Sequence, residues 1–261
     1  MLDRASIRHL AGTLLALAAA WLGNAAYAQA TGTIQLTPPS SASFPQVAFF
    51  ASVIGPDGRP VHALPPTSFT LTEDGAAVSD FHMEEETIGA RQIYAVNTVA
   101  PLRRRDVLGV TRLEQVRQAL IDAWQARPAS TTPDQVSLMT AEASLARNAP
   151  AAADLVPVLE DWAPVYSGNQ VGYRPLISAL TAALDPVPHP AMQTDVIFFT
   201  PLLDRNNEQD LSQAGALAQS SGARLHAVLI GTSEQAGTAE ALRLRQAAEA
   251  SGGTFEVFDP A

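Results

Sequence analysis

Five histidines, 26 acidic side chains and 16 arginines carry the side-chain charge chemistry of this 261-residue chain near neutral pH, and it has no cysteine and no lysine. Without cysteine there is no thiolate nucleophile, no disulfide and no zinc site with sulfur ligands. Without lysine there is no Schiff base and no phosphate-clamping ammonium, and neither G-x-x-x-x-G-K-[ST] nor G-x-G-x-x-G occurs. His9, His62, His82, His189 and His226 show no H-E-x-x-H or other regular ligand spacing, and read as surface or packing histidines. No G-x-S-x-G presents a serine on a strained turn, although a triad assembled only in space stays open at this level. The run Glu84, Glu85, Glu86 reads as a solvated linker face, with calcium capture as its alternative. Asp204, Glu208 and Asp210 sit where carboxylates cap helix N–H groups, with metal binding as the other option. Gly231-Thr232-Ser233 reads as a plain β–α turn, or else as a backbone anion cradle.

Charge narrows the partners. The net charge is −10, and the only clustered cations are Arg103, Arg104 and Arg105, so a nucleic-acid backbone is excluded as a partner. Residues 1–28 have the form of an export signal: Arg4, Arg8 and His9 precede an apolar run over 10–22, and Ala26-Tyr27-Ala28 is a small-x-small cleavage site. Its alternative is an uncleaved anchor, but thirteen apolar residues are short for a stable span. Removing Asp3, Arg4 and Arg8 with the leader leaves 14 arginines against 25 acids, a mature charge near −11. The expectation is a soluble, acidic protein exported to the periplasm, the cell surface or the medium, with no membrane span in the mature chain.

These groups must be positioned by elements of two kinds. Residues 29–45 are rich in Thr, Ser, Pro and Ala, and read as a flexible tether or a loose first strand. Residues 46–89 read as a small all-β unit: a strand over 46–54, a turn at Gly55-Pro56-Asp57-Gly58 into 60–64, then strands over 69–72 and 77–82 about the turn Glu73-Asp74-Gly75. From 90 to 261 strand and helix alternate. Strands are expected at 93–96, 135–140, 195–200, 225–230 and 254–258, with 143–147 as a hairpin partner; the runs at 195–200 and 225–230 are apolar enough for burial on both faces. Helices are expected after Arg112, with Leu113, Val116, Leu120, Ile121 and Trp124 on one face, and at 155–162, 176–184, 211–220 and 236–251. The simplest architecture is a doubly wound, mostly parallel α/β sheet with helices on both faces. Its ligand sites would lie just past the carboxyl ends of the strands, at 97–101, 140–142, 201–204 and 231–233.

The order of these pieces resembles exported bacterial proteins in which a small β unit precedes a von Willebrand factor type A domain. VIGPDGRPVHALPPTSFTLTEDGAAV at 53–78 is similar to the first part. QIYAVNTVAPL, DQVSLMTAEASLARNAP, GYRPLISALTAAL, TDVIFFTP and AEASGGTFEVF follow in the order of the second. The resemblance implies a site for Mg²⁺ or Mn²⁺, made by Asp-x-Ser-x-Ser after the first strand, a threonine before a later helix and an aspartate after the fourth strand. Those places are held here by Asn97, Val99 and Pro101, by Pro175 and by Pro201. Valine and proline side chains offer a hard cation no oxygen, so the site reads as degenerate, with no metal and no cofactor, unless Glu142, Asp204 or Asp106 replaces the ligands. The resemblance thus implies a non-enzymatic, exported protein-interaction or adhesion-like module with a protein partner. In that frame the Arg103-Arg104-Arg105 loop lies beside the vacated site and meets an acidic partner, or else is merely solvated. The rivals are a hydrolase with a composite site between the two parts and a structural domain of an envelope assembly.

Overall fold

The alternation of apolar strands with one-sided helices after residue 89 is realised as a six-stranded sheet. The computed structural model describes residues 32–56, 59–125, 134–150, 152–166, 172–201 and 208–259. The export signal expected over 1–28, Asp57 and Gly58 of the first turn, and Asp204 lie outside the described residues. The chain divides into two units, Met1–Glu85 and Glu86–Ala261.

In the first unit, β1 (Thr33–Leu36) pairs antiparallel with β2 (Ala51–Ile54), so strand pairing begins ahead of residue 46, inside the stretch read as a tether or loose first strand. The strand expected over 46–54 forms only at its last four residues. The stretch at 60–64 contributes a single bridge, Ile54 with Pro60, and one hydrogen bond from Val61 N–H to Val53 O of 2.9 Å. β3 (Leu71–Glu73) and β4 (Ala76–Val78) form a hairpin about Asp74 and Gly75, whose φ values of +49° and +82° are those a twisted two-residue turn requires. None of the described residues of this unit is fully buried, as its small size dictates.

The second unit carries β5 (Arg91–Val96), β6 (Gln135–Met139), β7 (Ser144–Ala149), β8 (Thr194–Thr200), β9 (Arg224–Ile230) and β10 (Phe255–Phe258), in the spatial order β10-β9-β8-β5-β6-β7. All neighbours are parallel except β6 and β7, the hairpin expected from 143–147. Counted along this sheet, the order is 3-2-1-4-5-6, and the direction of winding reverses between β5 and β8.

Helix α1 (Arg112–Gln125) begins with a reciprocal cap. Thr111 N–H donates to Glu114 Oε2 at 2.6 Å, and Glu114 N–H donates to Thr111 Oγ1 at 3.2 Å. Its buried face is Leu113, Val116, Leu120, Ile121 and Trp124, and with α2 (Ala152–Asp161) it covers Tyr94, Val96, Val136 and Leu138 on one side of the sheet. On the other side α3 (Arg174–Ala182), α4 (Glu208–Ser221) and α6 (Ala239–Ala250) pack over Ile93, Ala95, Val196, Phe198, Leu225 and Ala227. The helix expected over 236–251 is α6, starting at Ala239 because Thr238 caps it by accepting from Ala241 N–H, and a separate one-turn helix, α5 (Ser233–Ala236), precedes it. β8 and β9 depart from the expectation of burial on both faces. Residues of β8 alternate between buried and half-buried, because Ile197 and Phe199 are only partly covered on the α1–α2 side.

At the amino edge of the sheet, Arg91 is fully buried. Its guanidinium donates to Gln135 Oε1 at 3.1 Å, Asp185 O at 2.7 Å and Pro186 O at 2.8 Å, and so fixes the segment after α3. Burial pushes the Arg91 pKa down, against the favourable field of Asp185.

Candidate interaction site at the carboxyl edge of the sheet

The reversal between β5 and β8 opens at Asn97, Thr98 and Thr200, all buried polar residues. Asn97 N–H continues the ladder to Phe199 O at 2.9 Å. Its side-chain Nδ2 donates to Gly172 O at 3.1 Å and to Thr200 Oγ1 at 3.3 Å. A carbonyl oxygen can only accept, so the amide nitrogen must face Gly172. The Asn97 amide thereby ties Gly172 O to Thr200 Oγ1 through its own nitrogen. Next to it, Thr98 Oγ1 donates to Glu142 Oε2 at 3.1 Å, and Thr140 Oγ1 closes the β6–β7 turn by donating to Ala143 O at 3.1 Å.

The remaining positions of the expected metal site add no ligand. Val99 is fully buried, Pro175 is buried in the first turn of α3, and Pro201 is buried after β8. Pro101 lies in a short 3₁₀ turn, Ala100–Arg103. Of the three carboxylates considered as replacement ligands, Glu142 is exposed and bonded to Thr98, and Asp204 lies outside the described residues. Asp106 accepts from the N–H groups of Val110 (2.9 Å) and Leu108 (2.8 Å) and from Gln115 Nε2 (2.8 Å). Those hydrogen bonds, from Val110 first, hold its pKa below the usual aspartate value. Among the described residues, no three acidic or histidine side chains gather as a cation site.

The cationic loop leaves this edge. Arg103, Arg104 and Arg105 are exposed; Arg103 stacks over the Tyr166 ring at 4.3 Å from its centroid, and Arg105 donates to Gly109 O. Beyond them the chain turns through a hairpin closed by a bridge between Arg105 and Thr111 and by Asp106 N–H to Val110 O at 2.9 Å. Its tip is Val107 and Leu108, 95% and 83% exposed. Sequence reasoning missed this pair. The available signal was two aliphatic residues at the centre of an Asp-to-Gly turn, where Asn, Gly, Ser and Pro are the usual choices.

Other chemistry-bearing residues are placed elsewhere. Gly231-Thr232-Ser233 forms a β–α turn in which Gly231 N–H donates to Phe258 O and Thr232 N–H donates to Gln235 Oε1 within a reciprocal cap, so these two donors are occupied. Glu85 accepts from Ala63 N–H and pairs with His62 at 2.9 Å, contacts that hold its pKa low, while Glu84 and Glu86 are exposed. Asp210 lies within α4. His226 bridges Thr254 Oγ1 at 3.1 Å and Asp195 at 3.5 Å, on the amino half of the sheet and away from the reversal. Arg224 grips the same Asp195 with two bonds of 2.7 and 3.1 Å. Burial works to raise the Asp195 pKa, and the hydrogen bonds from His226 and Arg224 overcome it, leaving it lowered. A depression of about 400 Å³ between the β6–β7 hairpin and α3 is lined by Thr140, Glu142, Ser144, Arg147, Ser178 and Thr181 among others. Its one guanidinium, Arg147, is committed to Asp185 at 2.5 Å.

No protein-family model and no curated protein sequence matches this chain. Among solved structures, it is similar to the conserved hypothetical protein BatB from Bacteroides thetaiotaomicron, at 16% identity and a TM-score of 0.47, over 66% of this chain and 92% of that one. It is also similar to the SpRpn10 VWA domain (12%, TM-score 0.48, over 67% and 91%) and to proximal thread matrix protein 1 from the mussel byssus (15%, 0.43, over 65% and 41%).

Proposed function

We propose that this chain is an exported, non-enzymatic protein-interaction or adhesion-like module, with an α/β unit of von Willebrand factor A type whose metal site has been replaced by internal hydrogen bonds. The observation that carries the reading is the Asn97 amide. At the position where a doubly wound sheet takes its ligands, its nitrogen donates to Gly172 O and Thr200 Oγ1, so the protein itself engages these two oxygens. With that edge closed, recognition passes to the surface beside it, the exposed loop from Arg103 to Arg105. The side chains of Val99, Pro101, Pro175 and Pro201 offer a divalent cation no oxygen.

The test is calorimetric titration of the protein with Mg²⁺, Mn²⁺ and Ca²⁺, together with thermal unfolding in chelator. No saturable binding and no change in melting temperature are expected. Micromolar binding with a raised melting temperature would mean that replacement ligands bridge a metal, and the reading would fail.

A further inference from the structure

The loop that leaves the carboxyl edge is more than a solvated charge run. Val107 and Leu108 stand almost wholly in water at the tip of a hairpin whose backbone is held at every turn. Asp106 binds the N–H groups of Leu108 and Val110, Gly109 N–H donates to Asp106 O at 3.1 Å, Arg105 donates to Gly109 O, and Arg112 N–H donates to Arg104 O at 3.0 Å. Gly109, at φ +82°, takes the left-handed position the turn needs. A loop serving only as a connection gains nothing from ordering two aliphatic side chains that touch little. A loop that docks gains twice: the apolar area is removed from water, and little backbone entropy is lost on binding.

The base of the hairpin is cationic. Arg103, Arg104, Arg105 and Arg112 surround it, against Asp106 and Glu114, whose carboxylates are both taken up by local donors. This is the reverse of the chain as a whole, which carries a net −10.

We infer that residues 105–111 form a preformed docking knob whose Val107 and Leu108 side chains enter an apolar pocket rimmed by carboxylates on a protein partner. The inference rests on the interaction-module reading and names the partner's chemistry. A pocket reads only the local charge, within a Debye length of about 8 Å. A flat anionic membrane would also meet the acidic remainder of the chain, and the tip has no Trp or Tyr of the kind that settles at a lipid interface.

The experiment is a selection from a displayed library of random cyclic peptides against the intact protein, followed by amide-shift mapping and affinity measurement on the enriched peptides. The expected result is enrichment of Asp/Glu flanking apolar residues, with shifts confined to 103–112. Leu108→Ser should lower affinity at least about tenfold, from lost apolar burial. Arg104→Glu should lower it further as salt is reduced, whereas Val165→Ser, at another exposed apolar position, should leave it unchanged. Peptides that bind at the loop without acidic preference overturn the carboxylate rim. Peptides that bind elsewhere overturn the knob and leave the interaction-module reading standing, whereas failure to enrich any binder removes both. Loop shifts on adding phosphatidylglycerol vesicles but no peptide, or concentration-dependent self-association abolished by Leu108→Ser, overturn the proposal in favour of a membrane or a second copy.

Discussion

Replacing Asn97 by aspartate changes one atom and inverts its role. The amide nitrogen that donates to Gly172 O and Thr200 Oγ1 becomes an oxygen facing two oxygens, at a side chain only 2% exposed. Losing the bond to the Gly172 carbonyl costs about 1 kcal/mol. Burial and the facing carbonyl raise the folded-state pKa of the introduced carboxyl by about 2 to 3 units, which adds about 3 to 4 kcal/mol at pH 7. The sign follows from linkage. A carboxyl whose folded pKa exceeds its unfolded value of about 3.9 carries no charge penalty below that value, an increasing penalty as pH rises to the folded pKa, and a constant one above it. Urea unfolding of Asn97→Asp against the parent should therefore show a deficit of about 4 to 5 kcal/mol at pH 7 that shrinks to about 1 kcal/mol near pH 3.5. Adding Mg²⁺ should restore little of it, since Val99, Pro101 and Pro201 supply no side-chain oxygen. A variant as stable as the parent at pH 7 without metal would refute the assignment of Asn97 as the donor that closes this edge.

Arg91→Met should lower unfolding stability by about 3 kcal/mol, because the Asp185 and Pro186 carbonyls lose their buried donor, as equilibrium denaturation would show. For Asp195, whose folded pKa is depressed, the stabilising contribution is present above the unfolded pKa and lost as pH falls through the lower folded value. The stability gap between the parent and Asp195→Asn should therefore be about 2 kcal/mol near neutrality and close as pH falls through the depressed folded-state value, below the usual aspartate range. Gly253→Ala would drive a Cβ into the Leu225 carbonyl, so it should cost about 3 kcal/mol and speed hydrogen exchange in β9 and β10 first. Asp106→Ala should leave thermal stability nearly unchanged but deprotect the Leu108 and Val110 amides in exchange measurements, since their acceptor is gone.

Much of the architecture is legible in local pattern. The one-sided spacing of Leu113, Val116, Leu120, Ile121 and Trp124 specifies α1 without reference to anything else, and the apolar runs at 195–200 and 225–230 specify β8 and β9. Weak local signals leave alternatives open where pairing decides. Thr33–Leu36 lies in the stretch read as a tether or a loose first strand, and it is a strand because β2 offers its backbone a partner. The helix expected from Ala236 starts only at Ala239, because Thr238 supplies its cap after α5 has ended at Gly237.

Residue identities alone determine that cysteine and lysine chemistry are absent, and that Val99, Pro101, Pro175 and Pro201 bring no side-chain oxygen to the strand ends, because these are properties of side chains wherever they stand. The tertiary structure decides what those places do instead. Asn97 and Thr200 are 103 positions apart and meet only because β5 and β8 pair in register. The same sheet places Thr98 against Glu142, and the hairpin after it exposes Val107 and Leu108, whose apolar character alone would have assigned them to a core. Hydrogen-bond satisfaction and exposure are relations between distant residues, and such relations exist only once the chain has folded.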